Sequence, residues 1–148
     1  MKSTKASTLT SIVMSVFKLN GHLIEWGNQF SDQHGLTSAR WQMLGAIMLV
    51  PHPASIPQIA AAIGMTRQGV LKQINQLVGD GLVEPLPNPA HKRSPLYRLT
   101  ADGRAIYDAI EARWQAHARQ VAAEFTKEDL GTALKVVSIL SQIHDDKS

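Results

Sequence analysis

Cysteine is absent from all 148 residues. This excludes disulfides, thiolate metal sites and thiol-based redox sensing. Long hydrophobic runs are absent too. The longest apolar segment, Met43 to Val50, is far too short to cross a membrane, so no membrane partner is expected. The first residues, MKSTKASTLTSIVMSVFKLNGH, combine basic residues with an apolar stretch. Lys18 and Asn20 interrupt that stretch and no small-residue cleavage site follows, so it is not read as a signal peptide, and a cytoplasmic protein is expected. Enzyme signatures are lacking: there is no GxSxG, HExxH or phosphate-binding glycine loop. His22, His34, His52, His91, His117 and His144 are scattered, with no pair spaced three or four apart. Zinc needs three or four converging ligands. No enzyme, no metal and no cofactor is therefore expected, and there is no internal repeat or low-complexity tract.

What is present is a chain 44% hydrophobic, long enough for one domain with a substantial core. Net charge is +3, and it is unevenly spread. Residues 41–65 carry no charge, residues 66–104 carry six basic and three acidic side chains, and residues 105–148 carry five and seven. The basic excess lies in the middle of the chain and the tail is acidic. Such asymmetry is informative only together with a structural pattern that would present it.

That pattern lies between Ser55 and Thr100. Ser55 caps a short helix through Ile63, with Ile59, Ala60 and Ile63 facing inward, and Pro57 is tolerated in its first turn. Gly64 makes the turn. Thr66 caps a second helix to about Val78, with Val70, Ile74, Leu77 and Val78 on its buried face and Arg67, Gln68, Lys72, Asn75 and Gln76 mostly outside it. Gly79-Asp80-Gly81 stops this helix. Two strands, Leu82 to Leu86 and Leu96 to Leu99, flank the proline-stiffened loop Pro87 to Pro95. This is a winged helix-turn-helix, a known way of presenting side chains to duplex DNA.

On either side lie longer helices. Thr8 to Phe30 has apolar residues at helical spacing, and Phe17 and Ile24 widen the stripe beyond what one small core needs. Thr37 or Ser38 caps a helix from Ala39 to Val50. Thr100 caps a helix to about Ala123, and Thr126 with Asp129 resembles a capping box before a last helix carrying Leu130, Leu134, Val137, Leu140 and Ile143. The fold class is mainly α with a small β-hairpin wing.

Within the motif, Arg67 and Gln68 sit at the end of the second helix that reaches base edges in the major groove. Lys72, one turn on, suits a phosphate or a guanine. Gly69 allows close backbone approach. Lys92 and Arg93 occupy the wing tip, where arginine suits a narrow minor groove. Thr66, Arg67, Gln68, Gly69, Lys72, Lys92 and Arg93 are thus the candidate DNA-binding residues.

The runs LTSARWQMLGAI and IPQIAAAIGMTRQGVLKQINQLVGDGLVEPLPNPAHKRSPLYRLTADG resemble the MarR family of bacterial winged-helix regulators. Matching positions are Leu36, Thr37, Trp41, Leu44, Ile59, Ala60, Gly64, Val70, Leu77, Gly81, Leu82, Val83, Pro89, Arg93, Leu99, Thr100 and Gly103. The resemblance implies a homodimer in which residues 8–35 and 101–146 dimerise and residues 36–100 bind a pseudo-palindromic operator, within one domain of residues 1–148. It implies a repressor released by a small ligand, phenolic or aromatic carboxylate compounds being those to which many relatives respond. The ligand crevice it implies would include His22, Trp26, Arg40 and Trp41, with Arg40 pairing a carboxylate and the tryptophans stacking on a ring.

Three departures from the family pattern stand out. His91 occupies the position of an acid that often steadies the wing arginine, Asn88 replaces another common Asp, and Leu71 falls where a small hydroxyl residue is frequent. The first bears on the orientation of Arg93, and the other two point to an altered operator preference. The competing reading is a winged helix used for protein–protein contact without sequence-specific DNA binding; Arg67, Lys72, Lys92 and Arg93 argue against it.

Overall fold

Thr4 starts the first helix earlier than its apolar stripe indicates. In the computed structural model, which describes residues 3–145, α1 runs Lys5–Asp32. The Thr4 hydroxyl accepts from the Ser7 N–H at 3.0 Å, and the Ser7 hydroxyl accepts from the Thr4 N–H at 2.8 Å. Serine supplies the return bond usually made by Glu or Gln, which is why the box escapes a sequence search for the longer side chains.

The order continues α2 (Ser38–Leu49), β1 (Ala54–Ser55), α3 (Ile56–Ile63), α4 (Arg67–Gly79), β2 (Val83–Leu86), β3 (Leu96–Leu99), α5 (Ala101–Ala122) and α6 (Lys127–Ile143). The chain divides into two compact units, one through Ile110 and one from Glu111, with the boundary inside α5.

The expected two-stranded hairpin is a three-stranded antiparallel sheet of order β1-β3-β2. The added strand is Ala54–Ser55, paired with Tyr97 and Leu96. Two residues are too few for a period-two pattern, and the prolines before them read as loop. Because β3 is central, β2 is an edge strand, where Pro85 is tolerated without a donor.

Caps fix the helix-turn-helix. Ser55 and Gln58 form a capping box, and Gly64 closes α3 with φ 70°, a left-handed geometry that favours glycine. Thr66 caps α4 by accepting from the Gly69 N–H at 3.0 Å. At its other end Gly81, with φ 76°, places its N–H on the Val78 carbonyl and that of Leu82 on the Leu77 carbonyl, both at 3.0 Å. This pair of bonds is a Schellman ending. The Thr126 cap is half of the expected box: its hydroxyl accepts from the Asp129 N–H at 3.1 Å, while no return bond from the shorter Asp side chain forms.

The core lies in the first unit. Met43, Leu44 and Ile47 of α2, Ile59 of α3, and Val70, Ile74 and Leu77 of α4 are fully buried with Ile110 of α5. Each such side chain contributes roughly 1.5–3 kcal/mol on leaving water. Ile63 and Val78, expected inside, are half-buried at its margin. The α1–α2 corner is held by polar groups: the buried Ser31 hydroxyl lies 2.6 Å from the Gly27 carbonyl and 2.9 Å from that of Leu36, and Asn28 Oδ1 accepts from the Ser38 N–H at 2.7 Å.

Candidate nucleic-acid interface

Helix α4 is sharply two-sided. Val70, Ile74 and Leu77 are 0% exposed, while Arg67, Gln68, Lys72, Asn75 and Gln76 are all exposed. The stretch Arg67–Gly79 contains no acidic residue. Its outward face therefore offers only cations, carboxamides and one apolar side chain, Leu71. Thr66 is exposed, but its hydroxyl is committed to the cap, so its side chain orders the helix start. Gly69 is half-buried. A Cβ there would lie 3.1 Å from Thr66 Oγ1 and 3.4 Å from Met65 Cε, so its small size also serves the packing of the cap.

The wing is shaped by one side chain outside the candidate DNA-binding set, Asn88. Asn88 Nδ2 donates to the Ser94 carbonyl at 2.9 Å, while Asn88 Oδ1 accepts from the Ala90 N–H at 3.1 Å. The Asn88 carbonyl accepts from the His91 N–H, and the His91 carbonyl accepts from the Ser94 N–H. A single carboxamide thus ties both ends of the loop that carries Lys92 and Arg93. In the sequence Asn88 is marked by its place at the start of a proline-rich turn and by its replacing a common Asp, and neither tells which carbonyl it reaches. His91, Lys92 and Arg93 are exposed at the tip.

The cations divide into two groups. Arg98 faces Glu84 across the sheet, its Nε donating to Glu84 Oε1 at 2.7 Å. Arg40 forms an ion pair with Asp80. By contrast, Arg67, Lys72, Lys92 and Arg93 have no ion-pair partner among the described residues. Their charge is compensated only by solvent ions, which a polyanion can displace.

The residues expected around a ligand lie on α1 (His22, Trp26) and α2 (Arg40, Trp41). Trp26 stacks on Phe30 with ring centroids 4.7 Å apart, and Phe30 lies 5.3 Å from Trp41. Phe30 and Trp41 pack against the core. Trp26 and Trp41 are therefore joined by Phe30, a residue of the apolar stripe of α1. His22 is exposed one turn from Trp26. Arg40 already has a carboxylate partner within the chain. Among the described residues, no group of three His, Cys, Asp or Glu could hold a metal ion, and no helix is long and apolar enough to cross a membrane.

Known proteins share this fold. The family model described as the MarR family matches residues 34–94, the stretch from the α1–α2 corner to the wing tip. An uncharacterized protein of Mycobacterium tuberculosis is 40% identical over 105 residues, covering 71% of this chain and 72% of its own. The transcriptional activatory protein BadR of Rhodopseudomonas palustris is 23% identical, with 95% and 85% covered. Among solved structures, a MarR family transcription regulator matches with TM-score 0.79 and 28% identity over 96% of this chain and 93% of that one. A mutant MarR from E. coli, complexed with operator DNA, has the same fold with TM-score 0.75 at 19% identity over 93% and 99%.

Proposed function

This chain belongs to the MarR family of transcription regulators, and from that premise we propose that it is a homodimeric repressor that binds a pseudo-palindromic operator and is released by a small aromatic ligand. The observation that carries the DNA reading is the two-sidedness of α4. Its exposed face bears Arg67, Gln68, Lys72 and Asn75 without an acid, and the wing adds Lys92 and Arg93. Arg67 and Gln68 read base edges in the major groove, Lys72 contacts a phosphate or guanine, and Arg93 enters the minor groove. Lys92 supports the wing contact through phosphate. Thr66 and Gly69 set the helix start against the backbone.

Two helices support the dimer. On α1, Leu9, Met14, Phe17, Leu19 and Leu23 are exposed, Phe17 at 68%. On α6, Leu130, Leu134, Val137, Ile139 and Ile143 are exposed, and the helix buries no residue. Such apolar surface is costly in water and characteristic of an interface. Residues 8–35 and 101–146, the last of which lies outside the described residues, then dimerise, and residues 36–100 carry the DNA-binding region. A palindromic site follows from two-fold symmetry. The ligand is placed beside His22, Trp26, Arg40 and Trp41, where the aromatic stack offers a ring surface.

Fluorescence anisotropy on the DNA upstream of its own gene, against scrambled DNA at two salt concentrations, tests this function. Tight, sequence-dependent binding that weakens steeply with salt is expected. Equal binding to both DNAs, or salt-insensitive binding to a protein partner instead, overturns it. A reporter under that promoter separates repression from activation.

A further inference from the structure

Leu71 is the one large apolar side chain on the outward face of α4. It is 42% exposed, whereas its neighbour Val70 is 0% exposed. Gln68, Leu71, Lys72 and Asn75 are spaced three, four and seven apart from Gln68. At 100° per residue they form one ridge opposite the core. A branched hydrocarbon set among two carboxamides and a lysine and outside the core cluster leaves a large part of its surface in water, forgoing the gain of burying it. Its place on the ridge gives it a partner of matching chemistry. The major-groove edge of duplex DNA presents one apolar group, the C5-methyl of thymine, and carboxamides pair with adenine.

On the reading that α4 enters the major groove, we infer that Leu71 is a specificity-determining residue. It packs on a thymine methyl in each half-site, next to adenines read by Gln68 and Asn75. The preferred half-site therefore contains a thymine flanking an adenine. An arginine- or lysine-dominated surface would select guanine instead.

The test begins with selection of bound duplexes from random DNA, followed by anisotropy titration of the enriched site. Each thymine is replaced in turn by deoxyuridine, which removes the methyl and keeps the base pair. Wild-type protein is expected to lose about fourfold in affinity at one thymine per half-site, the equivalent of one buried methyl. Leu71→Ala, which alters both protomers, should bind the thymine site about as weakly as wild type binds a site with deoxyuridine in both half-sites, and should no longer distinguish thymine from deoxyuridine. Leu71→Met, which keeps an apolar reach, should retain the preference. An enriched site at which wild type ignores every thymine methyl overturns the Leu71 inference and leaves the regulator intact. So does a methyl preference that persists in Leu71→Ala. The absence of any enriched site overturns the DNA reading itself, and this inference with it.

Discussion

Arg40, in the first turn of α2, forms an ion pair with Asp80, the residue that ends α4. The side chains are 26% and 43% exposed, so solvent screens the pair and its worth to the fold is about 0.5–1 kcal/mol. Its larger consequence is competition. A ligand carboxylate that used Arg40 would have to displace Asp80. Asp80→Asn is therefore expected to tighten binding of a benzoate-class ligand about two- to fivefold, the equivalent of the released pair. Tryptophan fluorescence titration measures it, since Trp41 adjoins Arg40. Equal affinity in the two proteins removes Arg40 from the ligand site.

Arg93 is exposed at the wing tip with no ion-pair partner among the described residues. Its removal should leave the fold untouched and act on DNA alone. Arg93→Ala is expected to weaken operator binding by about 1–3 kcal/mol if the contact is to a base edge. Anisotropy gives the affinity and circular dichroism the melting temperature. An unchanged affinity takes Arg93 out of the site. Arg98→Ala is the useful contrast, because Arg98 is already neutralised by Glu84 and should cost less.

The parts that were legible in the sequence are those where local chemistry and tertiary packing agree. Ser55, Gly64, Thr66 and Gly81 mark the ends of α3 and α4 through caps and left-handed turns that need no distant partner. The buried face of α4 follows from its helical period. The parts that were not legible depend on residues far apart in the chain. β1 exists only because β3 pairs with it. The Arg40–Asp80 pair spans forty positions, and neither residue signals the other. The Asn88 carboxamide bonds were hidden for a different reason: a loop rich in proline reads as stiff, but its sequence does not say which carbonyl a side chain will reach.

Gly103 and Gly27 look alike in the sequence, yet the structure separates them. A Cβ on Gly103 would lie 1.9 Å from the Leu82 carbonyl oxygen and 2.9 Å from its carbon. That carbonyl is fixed, because it accepts from the Thr100 N–H at 3.0 Å. A Cβ on Gly27 would meet the Ser38 hydroxyl at 2.3 Å, a side-chain atom that can rotate away. Gly103→Ala should therefore destabilise by about 3 kcal/mol, the upper range for overpacking. Gly27→Ala should cost less, since both glycines are helical and gain alike in propensity, while the Ser38 side chain can move where the Leu82 backbone cannot. Urea unfolding at one fixed protein concentration decides it. A larger loss at Gly27 would mean that Ser38 cannot move.

Asn88 distinguishes shape from charge at the wing. Its Nδ2 donates to the Ser94 carbonyl while its Oδ1 accepts from the Ala90 N–H. Asp in its place keeps the acceptor and loses the donor, and it adds a negative charge near the two basic residues at the tip. Asn88→Asp should leave the Ala90 turn intact, open the Ser94 side and weaken DNA binding with a shallower salt dependence. Asn88→Ala loses both bonds without adding charge. If the carboxamide acts by shaping the loop, Asn88→Ala should lower specific affinity about tenfold, the equivalent of roughly 1.4 kcal/mol for one or two lost hydrogen bonds, and leave non-specific affinity unchanged. Uniform losses on specific and scrambled DNA would instead mean that the wing acts only as a basic tether, and that its shape is irrelevant to which sequence is bound.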